Sequence, residues 1–260
     1  MSETEIPPVA EVVDDVLRLT LATHVAGTSL DFARVVEATE AIAAFGPKVG
    51  AIVLTGSGAN FSAGGNVRDF AHADDPGAYL FAKAGELHDF ARALSESPVP
   101  VVAAVHGWAA GAALSFVLAA DVAIGGPSTK LRPAYPGIGF TPDGGMSWLL
   151  PRAVGASRAR EILLTDAVLD ADEAVRLGIL SRIVPDDEVL AEALKVAAKF
   201  VNGPREAYTE IKKLLAVSPD NTFDEQLDAE RAAISAAANS ATGREGVAAF
   251  IDKRRPVFPR

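Results

Sequence analysis

Two long apolar runs that stop at glycine constrain this chain most. "VGAIVLTGSG" (49–58) and "VPVVAAVHG" (99–107) hold no Asp, Glu, Lys or Arg. A run with no polar face reads as a buried strand, and the glycine after it lets the backbone turn sharply. Around these runs the period changes. "VLRLTLA" (16–22) reads as an earlier strand. "SLDFARVVEATEAIAAF" (29–45) has helical spacing with Ser29 as a candidate cap, and another helix is expected over 77–95. "GAALSFVLAAD" (111–121) is apolar all round, as a buried helix is, and "VAIGG" (122–126) reads as a short strand. Strands alternating with helices define an α/β fold.

Beyond about residue 155 the chain turns helical. "SRAREILLT" is followed by "DADEAVRLG", with an acidic start and a glycine stop, and "ILSRIVP" reads as one more strand. Amphipathic stretches follow over 187–201, 204–216 and 222–240. The last segment, "REGVAAFIDKRRPVF", begins acidic and ends basic, which suits a helix macrodipole. The expected organisation is an α/β core over 1–200 that carries the site and a C-terminal helical region over 201–260.

Composition removes several classes of function. The 260 residues include no cysteine, so disulfides, thiolate metal sites and cysteine nucleophiles are excluded. A net charge of -10 argues against nucleic-acid binding. The acidic start "MSETEIPPVAEVV" lacks the pattern of a signal peptide, and the apolar runs are too short or too broken to span a bilayer. A cytoplasmic protein with no membrane association is expected. His24, His72 and His106 lack metal-ligand spacing, so no metal is expected.

Two turns follow buried strands and precede helices: "GSGANFSAGGNVRDF" (56–70) and "HGWAAGAALSF" (106–116). Small residues let a ligand approach the backbone, and helix starts leave N–H groups free to face negative charge. Two such N–H groups on one carbonyl oxygen make an oxyanion hole. Either turn alone is also what an ordinary strand-to-helix connection looks like, and no GxxxxGK[ST] or GxGxxG pattern fits them. A third stretch, "YPGIGFTPDGGMSWLLPR" (135–152), holds one acid, Asp143. By position it suits the N-cap of the helix that follows as well as it suits catalysis.

Taken in order, these pieces resemble the enoyl-CoA hydratase/isomerase (crotonase) family. The strings that carry the likeness are "GSGANFSAGGNVRDF", "PVPVVAAVHGWAAGAALSFVLAADVAIG", "GIGFTPDGGMSWLLPRAVGASRAREILLTDAVLDADEAVRLGILSRIVP" and "REGVAAFIDKRRPVF". The resemblance implies a spiral of ββα units with a C-terminal helical trimerisation region, a homotrimer or dimer of trimers, and an acyl-CoA thioester as substrate. It implies no tightly bound cofactor, with coenzyme A entering as part of the substrate. It places the oxyanion donors at the N–H groups of Gly65 and Ala112, and draws Ser62, Ala63 and Arg68 to the CoA side. Phe250 and Lys253 of the last segment, with Arg254 and Arg255, would help cover CoA, from a neighbouring subunit if the assembly forms.

The family's hydratases use two glutamates, and the positions that match them hold Ser115 and Tyr135. Hydration needs one group for the water proton and one for the carbon proton, and neither residue is a ready base near neutrality. The turn "TPDGGMSWLLPR" resembles instead the branch of ring-1,2-epoxyphenylacetyl-CoA isomerases, which implies Asp143 as the single acid/base of an isomerase. Ser115 and Tyr135 would shape the acyl pocket or position water, and Phe140, Met146 and Trp148 would dry it. Three alternatives stay open on the sequence. One is a hydratase with atypical residues. Another is a hydrolase like 4-chlorobenzoyl-CoA dehalogenase, pairing Asp143 with His88. The third is a non-catalytic acyl-CoA-binding member.

Overall fold

The structure is a computed structural model that describes residues 6–26 and 28–259; the start of the acidic N-terminal stretch, residues 1–5, lies outside them. The chain opens with β1 (Ala10–Val13) and β2 (Val16–Thr20), then α1 (Phe32–Phe45), β3 (Ala51–Thr55), α2 (Val67–Ala71), α3 (Pro76–Ser95) and β4 (Val101–Val105). Next come β5 (Trp108–Ala110), α4 (Ala112–Ala119), β6 (Val122–Gly125), β7 (Lys130–Arg132), α5 (Met146–Val154) and α6 (Ala156–Thr165). The remainder is β8 (Leu169–Asp170), α7 (Ala171–Arg176), β9 (Arg182–Ile183) and α8 (Val189–Val201), followed by α9 (Arg205–Val217), α10 (Phe223–Asn239) and α11 (Ala241–Ile251). One sheet runs β1-β2-β3-β4-β6-β9, with β1 antiparallel to β2 and the other pairs parallel. A smaller sheet runs β5-β7-β8. The α/β class expected from the sequence is the class observed.

The apolar runs are the inner strands, and their alternate residues serve two cores. Leu17, Leu19, Ile52, Leu54, Val101 and Ala103 face the side packed by α1, α3 and α4. Val16, Ala51, Val53, Val102 and Ala104 face the other side, where Val189, Ala193, Val196 and Val201 of α8 cover them. Burial on both faces is why these strands carry no alternation of polar and apolar residues. Residues 112–117 of α4 are buried throughout, and Phe116 meets Phe90 of α3 edge to face at 4.8 Å.

Three local readings change. Ser29 does not cap α1: Asp31 does, its side chain accepting from the Ala33 N–H at 3.0 Å. Leu30 is held extended by bridges to Ala22 and Gly65, so the helix cannot begin before it. The short strands β1, β5, β7 and β8 went unread in the sequence. Two to four residues carry no measurable period, and "WAA" reads as part of a turn. The last helix ends at Ile251, with no acid in its first turn and no base in its last. The cationic run lies beyond it, so the macrodipole reading does not hold. Instead Arg254 folds back onto Glu245, at 2.6 Å, and Asp252.

Candidate active site

The two turns are stitched together before either reaches its helix. Ser62 is buried and bridges Ala109 of β5: its N–H donates to the Trp108 carbonyl at 2.9 Å, and its carbonyl accepts from Ala110 at 3.0 Å. The Asn60 side chain clamps the entry, accepting from the Trp108 N–H at 2.9 Å and donating to Thr28 at 2.9 Å. Gly64 has φ +87°, and a Cβ there would stand 2.9 Å from the Ala110 carbonyl oxygen. Only glycine allows the turns to lie this close. Neighbouring N–H groups are engaged: Ala63 on Thr28, Gly64 on the Ser62 hydroxyl, Gly111 on Arg132. The Gly65 N–H takes no acceptor among the described residues, and Ala112, as the first residue of α4, has no intrahelical acceptor.

Asp143 approaches the Ala112 end of α4 through its own backbone. The next residue, Gly144, has φ +61°, and a Cβ on it would lie 3.0 Å from Ser115 Cβ and 3.9 Å from Ala112 Cα. The Asp143–Gly144 turn therefore rests on the first turn of α4, beside Ala112. The Ser115 hydroxyl, fully buried, donates to the Asp143 carbonyl at 3.1 Å. The carboxylate is not a helix cap. The N-cap of α5 is Gly145, which has no side-chain cap bond, and Met146 N–H is received by the Asp143 backbone carbonyl. The side chain is left free, and its Oδ1 accepts from the Tyr135 hydroxyl at 2.5 Å.

Tyr135 is buried, and it is held there by a contact the sequence did not disclose. Asp166 pairs with Arg132 at 2.6 Å and accepts from the Ala134 N–H at 2.7 Å. Ala134 sits at φ +61°, a strained value for a residue with a Cβ, just before the tyrosine. These partners are 32 and 34 residues apart, and no local pattern marks them. Burial pushes the Tyr135 phenol well above its ordinary range, and the neighbouring Asp143 charge and hydrogen bond add to that. The Asp143 backbone and the Ser115 hydroxyl pull weakly the other way. The phenol therefore stays protonated and remains a donor.

The other expected residues fall in different places. His88 lines a cleft of about 350 Å³ with Arg92, Glu96, Gly144, Gly145 and Trp148. It faces the glycines after Asp143, while the carboxylate itself is bonded to Tyr135. Ala63 and Arg68 are exposed around the first turn. Phe250, 85 % exposed, is on α11, and Lys253 follows that helix; α11 packs on α9 and α10. Of the residues expected to dry the site, Met146 is fully buried, but Phe140 and Trp148 are open to solvent. Phe140 lies against Phe70 and Trp148 lies under the Arg152 guanidinium, so each ring packs on a neighbour at the surface.

The family profile described as "Enoyl-CoA hydratase/isomerase" matches residues 13–260. The chain belongs to the enoyl-CoA hydratase/isomerase family. A Rhodobacter capsulatus protein named "Probable enoyl-CoA hydratase" is 38% identical over 209 residues, 80% of each chain. An Escherichia coli protein named "1,2-epoxyphenylacetyl-CoA isomerase" is 37% identical over 210 residues, again 80% of each. The crystal structure of an enoyl-CoA hydratase from Polaromonas sp. JS666 superposes with a TM-score of 0.90 at 31% identity, covering 96% of this chain and 98% of that one. The fold is thus the crotonase fold, and the chain is an enzyme of the enoyl-CoA hydratase/isomerase family, whose members act on acyl-CoA. The names of its relatives include both hydratase and isomerase. Within the family frame, the two positions expected for glutamates now have a visible use. Ser115 holds the backbone of Asp143 and Tyr135 holds its side chain.

Proposed function

We propose that this enzyme isomerises a CoA thioester, with Asp143 as the acid/base. The carboxylate removes a proton from a carbon conjugated to the thioester. The electron pair moves toward the thioester oxygen, where the N–H groups of Gly65 and Ala112 receive the charge, and the proton returns at another carbon. One carboxylate is enough for this, because the group that takes the proton also gives it back. The observation that carries the reading is the contact of the Asp143–Gly144 turn with the first turn of α4, where the Ser115 hydroxyl donates to the Asp143 carbonyl at 3.1 Å and a Cβ on Gly144 would stand 3.9 Å from Ala112 Cα. The likeness to the Escherichia coli isomerase supports it. In this reading Ala63 and Arg68 border the CoA ester, which arrives and leaves as substrate, while Ser62, expected beside them, is fully buried and supports their turn from within. Phe250 and Lys253 close over CoA from a neighbouring subunit of a trimer or dimer of trimers.

A hydratase is the second reading, favoured by the name of the Rhodobacter capsulatus relative. It needs a second proton-handling group beside Asp143. Offering 2-enoyl-, 3-enoyl- and 4-chlorobenzoyl-CoA in D2O separates the readings by mass spectrometry. Isomerase action gives the shifted double bond with no added water, seen by chromatography ahead of the mass spectrometer, and carries deuterium in proportion to how far the proton on Asp143 exchanges with D2O before it returns. Asp143→Asn is expected to lower turnover by about a hundredfold to ten-thousandfold while the ester still binds. A fully active Asp143→Asn enzyme removes Asp143 from the mechanism, and chloride release from the aryl ester replaces isomerisation with hydrolysis.

A further inference from the structure

We infer that the Tyr135 phenol is a positioning residue that holds Asp143 by Oδ1 and so makes Oδ2 the oxygen that carries the substrate proton. This rests on the isomerase reading and assigns a task within it. The Tyr135 Oη to Asp143 Oδ1 separation of 2.5 Å lies within the range of hydroxyl donors on a charged oxygen. Oδ2 takes no hydrogen bond from the described residues and is not a sealed, unsatisfied atom. The two oxygens of this carboxylate are therefore not equivalent. Ser115 fixes the backbone from below, and the phenol fixes the rotation of the side chain above it.

The groups facing Asp143 are few. The α4 helix presents Ser115 and carries no titratable residue; Tyr135 comes from the segment after β7. Across the cleft, α3 presents His88 and Arg92, and the residue after it Glu96, toward Gly144 and Gly145, and Arg92 is occupied by Asp89 at 2.6 Å. On α5, Arg152 is stacked on Trp148. In the step itself, the substrate C–H bond breaks, its electron pair stays with the conjugated thioester, and the proton bonds to Oδ2. Tyr135 keeps its own proton throughout and remains the donor to Oδ1. The O–H on Oδ2 then breaks as the new C–H bond forms, so the carboxylate ends as it began. Buried as it is, the phenol holds its proton through any working pH.

Replacing Tyr135 by Phe removes the donor to Oδ1 and keeps the ring. With the enzyme and a 3-enoyl-CoA it turns over, Tyr135→Phe is expected to lower kcat by about tenfold to a hundredfold with KM nearly unchanged. Incorporating 3,5-difluorotyrosine at 135, which keeps both the donor and the ring, is expected to hold kcat near that of the parent and serves where Tyr135→Phe folds poorly. A Tyr135→Phe enzyme that keeps the parent's kcat, or whose loss lies in KM alone, overturns the inference, as does a difluorotyrosine enzyme whose kcat falls as far as that of Tyr135→Phe. Asp143→Asn run alongside separates the two failures. Full activity there sinks the isomerase reading, whereas lost activity there beside an unchanged kcat in Tyr135→Phe sinks only the role of Tyr135.

Discussion

Asp143 escapes the capping role its sequence position suggests because two left-handed glycines come after it. Gly144 and Gly145 have φ +61° and +85°, and they delay the start of α5 until Met146. The carboxylate is turned away from the helix N–H groups and toward Tyr135. Gly144 also lets the turn lie on Ser115, where a Cβ would meet Ser115 Cβ at 3.0 Å. Gly144→Ala therefore combines a strained backbone with an overpacked contact. A loss of about 1–3 kcal/mol of stability is expected, with a fall in turnover as Asp143 shifts. Thermal melting and turnover of the variant check this, and a variant that melts and works like the parent refutes the close fit. The sequence offered the candidates of this site one at a time: Asp143 by its turn, and Gly65 and Ala112 through the family resemblance. Their linkage was not. The bonds from Tyr135 and Ser115 to Asp143 span 8 and 28 residues and depend on how α4 docks.

At the scale of elements, the end of the chain is tied down by one carboxylate. Glu245 of α11 receives both Arg254 nitrogens, at 2.6 and 2.9 Å, and the Val257 N–H at 2.7 Å. The Arg254 bonds, with help from the Val257 N–H, hold Glu245 at about 2, below its ordinary 4.5. A folded value below the unfolded one means that the tie is fully present above pH 4.5 and is lost as the pH falls toward 2. Phe258, which rests 3.6 Å from the Cβ position of Gly246, reports the release if it carries a fluorine label. Its resonance should move toward the free value across that acid range, and should already be there at neutral pH in Glu245→Gln. No change in either case would show that the tail is held by something else. The sequence could not foretell this hook, because it read 244–258 as one helix. Long periodic helices such as α8 and α10 were readable, and so were the buried runs of β3 and β4. Elements of two or three residues, such as β5 and β8, exist only because neighbouring strands supply their hydrogen bonds.

For the whole molecule, the two ends of the fold differ in how well they cover themselves. The sheet has a core on each face, whereas α9 and α10 bury no residue in the single chain. Ile211, Phe223 and Ile234 are 51, 77 and 72 % exposed, and a groove of about 580 Å³ runs between these helices. Apolar surface gathered on consecutive helices is what a subunit contact leaves when its partner is removed. Closed rotational symmetry is the usual way to cover such a face without building a filament. The assembly proposed above also brings a neighbour's Phe250 and Lys253 toward CoA, so subunit contact and substrate affinity should fail together. Ile234→Lys tests this. The side chain is exposed in the lone chain, so the change there costs about 0.5 kcal/mol or less, while a charge placed in an apolar contact costs far more. Sedimentation should show the parent at a multiple of 27.0 kDa and the variant shifted toward that single-chain mass, with KM for the CoA ester raised and the thermal transition lowered. A parent that sediments as one chain with full affinity would mean that a single subunit builds the complete site.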